Sequence, residues 1–156
     1  MSETARSNSS SYPYQQAITT RWMDNDMYGH VNNVQYYSFF DTVVTTWLIK
    51  EGGLDPEHGP SIGLCVSSEC NYHAPLSFPD VIDVGLRVGR IGRSSVRYEL
   101  ELRVAGSHTV AATGHFVHVY VDRNSRRPTA LSDEFRAALS TLVPAKTYEV
   151  ANGADV

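Results

Sequence analysis

The chain has 156 residues, 42% hydrophobic and 19% charged, enough for one domain with a packed core and too apolar for wholesale disorder. A net charge of −4 argues against nucleic acid as the main partner, while leaving room for a local basic patch that meets a phosphorylated ligand. No run approaches the ~20 apolar residues of a membrane span, and the opening MSETARSNSSS has no apolar core of a secretory signal.

Residues 1–11 are polar and serine-rich and read as a tail, as does the weakly patterned stretch 144–156, leaving a domain over 12–143. Tyr14 to Met23 reads as a first strand. The turn-rich run Asp24-Asn25-Asp26-Met27-Tyr28-Gly29-His30 follows. Asn32 is placed to cap a helix, with Gln35 three residues on and Val31 able to staple onto Tyr36. Val34, Tyr37, Phe40, Val44, Trp47 and Leu48 fall at helical spacing, and Tyr36, Phe39 and Val43 add a second stripe. That predicts a helix covered on more than one side and ended by Gly52-Gly53.

Beyond the loop 54–60 the period changes to two. Strands are expected over Ile62–Ala74, Val81–Ile91, Ser94–Val104 and Thr109–Val121, with turn signals at Gly92-Arg93 and Ala105-Gly106-Ser107, as in an antiparallel meander. A short helix, Ser132–Leu142, closes the pattern. One long apolar helix against one antiparallel sheet is a two-layer α+β domain, with the sheet curved around the helix. Cys65 and Cys70, five residues apart on one strand, would lie roughly 16 Å apart on opposite faces, too far for a disulfide. Two reduced thiols point to a cytoplasmic protein. His115 and His118 are three apart on a strand and face opposite sides, so they do not share a metal ion, and no metal site is expected.

The run from Asp24 to Asn33, followed by Tyr36 and Phe40-Asp41, resembles the signature of hotdog-fold acyl-CoA thioesterases of the 4-hydroxybenzoyl-CoA thioesterase type. The likeness continues through Tyr72, Pro75 and Asp80, the hairpin Gly92-Arg93-Ser94-Ser95, and Val121-Asp122 with Arg127-Pro128. Asp41 stands where the family usually has Glu, and the family's following Arg is missing. The resemblance implies a hotdog fold, a homodimer or homotetramer with active sites at the subunit interface, and hydrolysis of an acyl-CoA to a free acid and coenzyme A. It implies Asp26 as the catalytic carboxylate and the Asn33 backbone N–H as oxyanion donor.

The chemistry agrees with that assignment. A thioester carbonyl needs a nucleophile or general base and an oxyanion stabiliser, and neither a metal nor a further cofactor. Asp26 can play the first role in either form, or serve merely as an Asx-turn acid, which suits Asp24 better. Gly29 would shape the turn or let the thioester approach, Tyr28 would contact substrate, and His30 would orient substrate or hydrogen-bond near Asp26, or else be a structural histidine bonded to backbone. Asp41 is the second choice of acid. Ser68 and Tyr72 are candidates to line the acyl pocket, or packing residues. Arg90, Arg93 and Ser95 at one hairpin, with Arg123, Arg126 and Arg127 after the last strand, could meet the phosphates of coenzyme A. The alternatives are a hotdog 3-hydroxyacyl thioester dehydratase, using His30 with Asp26, and a non-catalytic acyl-CoA-binding module.

Overall fold

The computed structural model describes residues 11–145; the tails expected at 1–11 and 144–156 otherwise fall outside them. Strand β1 (Tyr14–Thr19) is followed by a 3-10 turn over Trp22–Asp24, so the first strand is shorter than its pattern suggested. Helix α1 (Asn33–Lys50) comes next, then β2 (Ser61–Tyr72), β3 (Val81–Ile91), β4 (Ser95–Val104), β5 (Val110–Asp122) and helix α2 (Asp133–Ser140). Both helices begin as expected: the Asn32 side chain accepts from the Val34 N–H, and Ser132 Oγ accepts from the Phe135 N–H.

The five strands form one antiparallel sheet in the order β1-β3-β4-β5-β2. The expected meander holds only for β3, β4 and β5. Strand β2 pairs with β5 at the opposite edge, so the connection to β3 crosses the sheet. Three strand spacings are about 14 Å, within easy reach of the eight residues 73–80. This connection passes the start of α1, where the Leu76 carbonyl accepts the Val31 N–H at 2.7 Å. Ser77 Oγ donates to the Gly29 carbonyl, and the Phe78 N–H donates to Asn25 Oδ1. A crossover that looks like mere linkage therefore clamps the acidic turn.

Helix α1 buries Tyr36, Phe39, Phe40, Val43, Val44, Trp47 and Leu48 against the sheet's inner residues, including Ile82, Leu86, Tyr98, Leu100 and Ala112. These positions make one face, not two. Val34 is 60% exposed, and Ser38 and Asp41 are exposed as well. Within one chain, then, α1 is covered on one side only, against the expectation of a doubly covered helix.

A second correction concerns the cysteines. The pairing of β2 with β5 slips between Cys65 and Ser67, so that Cys65 opposes His118 and Cys70 opposes Gly114. Opposed residues share a face. The bulge at Val66 thus turns both thiols to the inner side, where an unbroken period of two would have separated them. Both are free. No helix among the described residues is long and apolar enough to cross a membrane.

Candidate active site

Asp24 and Asp26 sit in different surroundings. Asp24 is fully buried. Its Oδ2 accepts the Arg21 N–H at 2.7 Å, and its Oδ1 accepts Arg21 Nη2 at 2.8 Å. Its carbonyl accepts the Asn32 N–H at 2.8 Å, fixing the residue that caps α1. Asp24 is the structural acid.

Asp26 is half-buried, in a loop closed by the Asn25–Val31 bridge and by the Asp26 N–H donating to the His30 carbonyl at 2.9 Å. Its Oδ1 accepts the Tyr28 N–H at 2.8 Å, an Asx turn that holds the carboxylate in one orientation. Oδ2 makes no hydrogen bond to any described residue. Gly29 has φ +81°, and a methyl group there would meet nothing within 4 Å. The left-handed turn alone accounts for a glycine here.

At the start of α1, the Val34 N–H is taken by the Asn32 side chain and the Gln35 N–H by the Asn32 carbonyl. The Asn33 N–H has no partner among the described residues. It is a free donor at the positive end of an 18-residue helix. Tyr72 Oη donates to the Asn33 carbonyl at 2.9 Å, and its ring meets Tyr36 edge-on at 4.9 Å. Burial, with hydrogen bonding to Cys70 as a second cause, pushes the Tyr72 phenol up to about 12. Tyr72 therefore stays a donor at neutral pH and pins the helix start to β2.

Tyr72 begins an inward row on β2 that continues through Cys70, Ser68, Cys65 and Gly63, opposite Ala112, Gly114, Phe116, His118 and Tyr120 on β5. Facing it, Val34, Tyr37, Ser38 and Asp41 share one side of α1. Part of this groove is a cavity of about 400 Å³ lined by Tyr37, Ser38, Asp41, Cys65, Phe116 and His118. A larger cleft, about 570 Å³, lies at the other end of α1 between Gly52 and Phe135 and includes none of the candidate residues.

The structure thus brings Asp26, Gly29, Asn33, Ser68 and Tyr72 to one end of α1 and the groove leading from it. Tyr28 and His30 are exposed on the same loop, and no hydrogen bond to the His30 ring is formed by a described residue. Arg90, Arg93 and Ser95 are elsewhere. Strand β3 starts beside Asp80, at the clamped turn, and Arg90 is nine residues further along, about 30 Å away. Sequence reasoning missed His118 and Cys65 as groove residues. The alternation Ala112, Gly114, Phe116, His118, Tyr120 carried the signal for the histidine, which had been weighed only as half of a metal pair. His115 indeed points outward, with Nδ1 3.5 Å from Glu69. Among the described residues, no group of three or more His, Cys, Asp or Glu could hold a metal ion.

Burial pushes the His118 imidazole below its ordinary value, against an opposing pull from the Asp41 carboxylate. The unfolded chain takes up this proton near pH 6.5, the folded chain only at lower pH. Stability is then full above that point and falls as the pH drops through the window between the two values. The melting temperature should decline between pH 7 and 5.5, and decline less in His118→Phe. Equal slopes in the two proteins would refute the linkage.

A family model described as the thioesterase-like superfamily matches residues 20–139. The chain belongs to that superfamily. It is 55% identical to the PA5185 protein of Pseudomonas aeruginosa strain PAO1, with TM-score 0.84 over 88% of this chain and 96% of that one. It is 30% identical to the PA2801 protein of the same species, TM-score 0.77, covering 82% and 98%. A thioesterase of Thermus thermophilus, solved with coenzyme A and zinc, is 26% identical with TM-score 0.72, covering 88% and 98%. The five-stranded antiparallel sheet with two helices is consistent with the hotdog thioesterase fold, and thioester hydrolysis is the chain's class of activity.

Proposed function

We propose that this superfamily member hydrolyses acyl-CoA thioesters, with Asp26 supplying the attacking or activating carboxylate and the Asn33 N–H receiving the oxyanion. The observation that carries the reading is the free Asn33 N–H at a helix start, on the same turn-and-helix segment as a carboxylate whose Oδ1 is held by Tyr28 and whose Oδ2 is unengaged. As the carbonyl carbon becomes tetrahedral, negative charge gathers on its oxygen, where a fixed donor at a helix N-terminus acts most strongly. Oδ2 either attacks that carbon, giving a mixed anhydride that water then opens, or takes a proton from the attacking water. A coenzyme A-bound relative supports the thiol half of the substrate.

The reading includes a homodimer. Strand β2 is an edge of twelve residues with one charged side chain, Glu69, and with Leu64 and Val66 40% and 60% exposed. Such an edge invites pairing. If two β2 strands meet antiparallel about a two-fold axis, each chain's Arg90–Ser95 hairpin comes to the end of the combined sheet where the partner's Asp26 lies. The arginines that lie far from Asp26 within one chain would then serve the neighbouring site's phosphates. Its two free thiols suit a reducing, cytoplasmic setting.

The test is a panel of acyl-CoAs with a thiol-reactive dye; a pure protein inert toward every member refutes the assignment. For the interface, Val66→Lys is expected to shift sedimentation from dimer to monomer and to lower kcat/KM at least about tenfold, because the composite site is lost. A fully active monomer would refute the shared site.

A further inference from the structure

The cleft of about 570 Å³ at the far end of α1 has no part in the chemistry described so far. Its less exposed lining is apolar: Leu54, Leu131 and the edge-on pair Tyr120 and Phe135, whose rings are 5.0 Å apart. It also carries the carboxylates of Asp55, Asp122 and Glu134, with His58 as the only basic side chain in the lining. The Ser125 and Asn124 backbone N–H groups hold the Asp122 carboxyl below the usual carboxylate range, so it is charged at neutral pH. We infer that this cleft receives the acyl chain of a thioester bound at Asp26 of the partner subunit, and that its carboxylates restrict the site to chains with no negative charge at their far end. The inference rests on the acyl-CoA thioesterase reading and its β2-paired dimer, and narrows the substrate class.

Within one chain the cleft is out of reach of Asp26. Tyr72 Oη donates to the Asn33 carbonyl, which seats the start of α1 at the last residue of β2. The cleft is lined by Ser61, the first residue of that strand. The twelve residues of β2 put about 36 Å between these two ends. Two β2 strands paired antiparallel about a two-fold axis reverse this, because the first residue of one strand comes beside the last of the other. The cleft then borders the shared edge, roughly two strand spacings, about 10 Å, from the partner's Asn33. An extended acyl chain of about eight carbons covers that distance. Charge decides which half of the substrate enters. Three carboxylates repel the phosphates of coenzyme A, which find arginine at the Arg90–Ser95 hairpin, between strands further from the shared edge. An apolar chain covers Leu54 and Phe135 and needs no polar partner. A chain ending in a carboxylate would place a fourth negative charge among the three, and like charges brought together weaken binding.

The test uses acetyl-CoA, octanoyl-CoA and suberoyl-CoA, the last being the octanoyl chain with a carboxylate at its end. The parent protein should prefer octanoyl- to suberoyl-CoA by at least about tenfold in kcat/KM. The double substitution Asp122→Asn with Glu134→Gln should bring the two within a few-fold of each other. Ala130→Trp, at an exposed position of the cleft lining, should lower kcat/KM for octanoyl-CoA at least about tenfold more than for acetyl-CoA. Glu134→Trp should do the same from α2. Which subunit the cleft serves is read in mixed dimers of Asp26→Asn and Ala130→Trp chains, co-expressed with two different tags. One of their two sites joins an intact Asp26 to an intact cleft, so octanoyl-CoA hydrolysis should return to about half that of the parent, far above either homodimer. Mixed dimers no more active on octanoyl-CoA than the Ala130→Trp homodimer overturn the inference and leave the thioesterase reading standing. So do bulky substitutions that leave octanoyl-CoA hydrolysis as it was. Discrimination against suberoyl-CoA that survives the double substitution overturns the charge selection. A parent inert toward every acyl-CoA, or an Asp26→Asn homodimer as active as the parent, overturns the reading beneath and the inference with it.

Discussion

Asp26→Asn should lower kcat by roughly 10²–10⁴-fold on any acyl-CoA the parent hydrolyses, with KM within a few-fold and the melting temperature almost unchanged. The size follows from what the substitution removes. Asparagine keeps an oxygen that can accept the Tyr28 N–H, so the Asx turn survives. The Asn33 N–H is untouched. What disappears is the negative, unengaged Oδ2, the atom that would attack the thioester or take water's proton. The loss should fall on the chemical step, and purified variant and parent compared on one substrate would show it. If Asp26→Asn is active and Asp41→Asn inert, the helix acid is the catalyst after all.

Asp24→Ala should do the reverse, costing about 2–4 kcal/mol of stability. For a domain of this size that is a fall of roughly 5–15 °C in melting temperature. The carboxylate is fully buried, and its removal strands the Arg21 backbone N–H. The ion pair itself counts for less, because the Arg21 side chain is 58% exposed and solvent screens it. Chemical denaturation of parent and variant measures the difference; a change below about 0.5 kcal/mol would mean that Asp24 is dispensable. Together the two variants test whether the acting and the supporting carboxylate are different residues, two apart.

Much of this was legible in the chain. Asn32 followed by a hydrophobic run marks a helix start because a side-chain acceptor there satisfies an otherwise orphaned N–H, a local effect that needs no tertiary knowledge. The surroundings of Asp24 and Asp26 were legible only in part: the Asx turn expected at Asp24 is made by Asp26, while Asp24 is buried against Arg21. The neighbour of β2 was not legible, since alternation fixes which face a residue takes and says nothing of which strand it pairs with. The exposed side of α1 was misread for a related reason. Val34 and Tyr37 are apolar at helical spacing, yet Val34 faces the groove and solvent while the core is filled from the other side. Periodicity reports apolar surface without telling whether core, substrate or a partner subunit covers it. His118 needed the pairing of β5 with both neighbours before its position meant anything.

The bulge at Val66 has a consequence for how this strand tolerates change in length. On β2, Ser67 opposes Val117 and Cys65 opposes His118, with Val66 as the supernumerary residue. Deleting Val66 would restore a regular ladder and leave Gly63, Cys65, Ser68 and Cys70 facing inward as before. Deleting Glu69 instead would put the residues on one side of the gap out of phase, turning inward side chains out and outward ones in. Relatives that differ by one residue in β2 should therefore carry their gap at this position, and a chain shortened there should keep its groove.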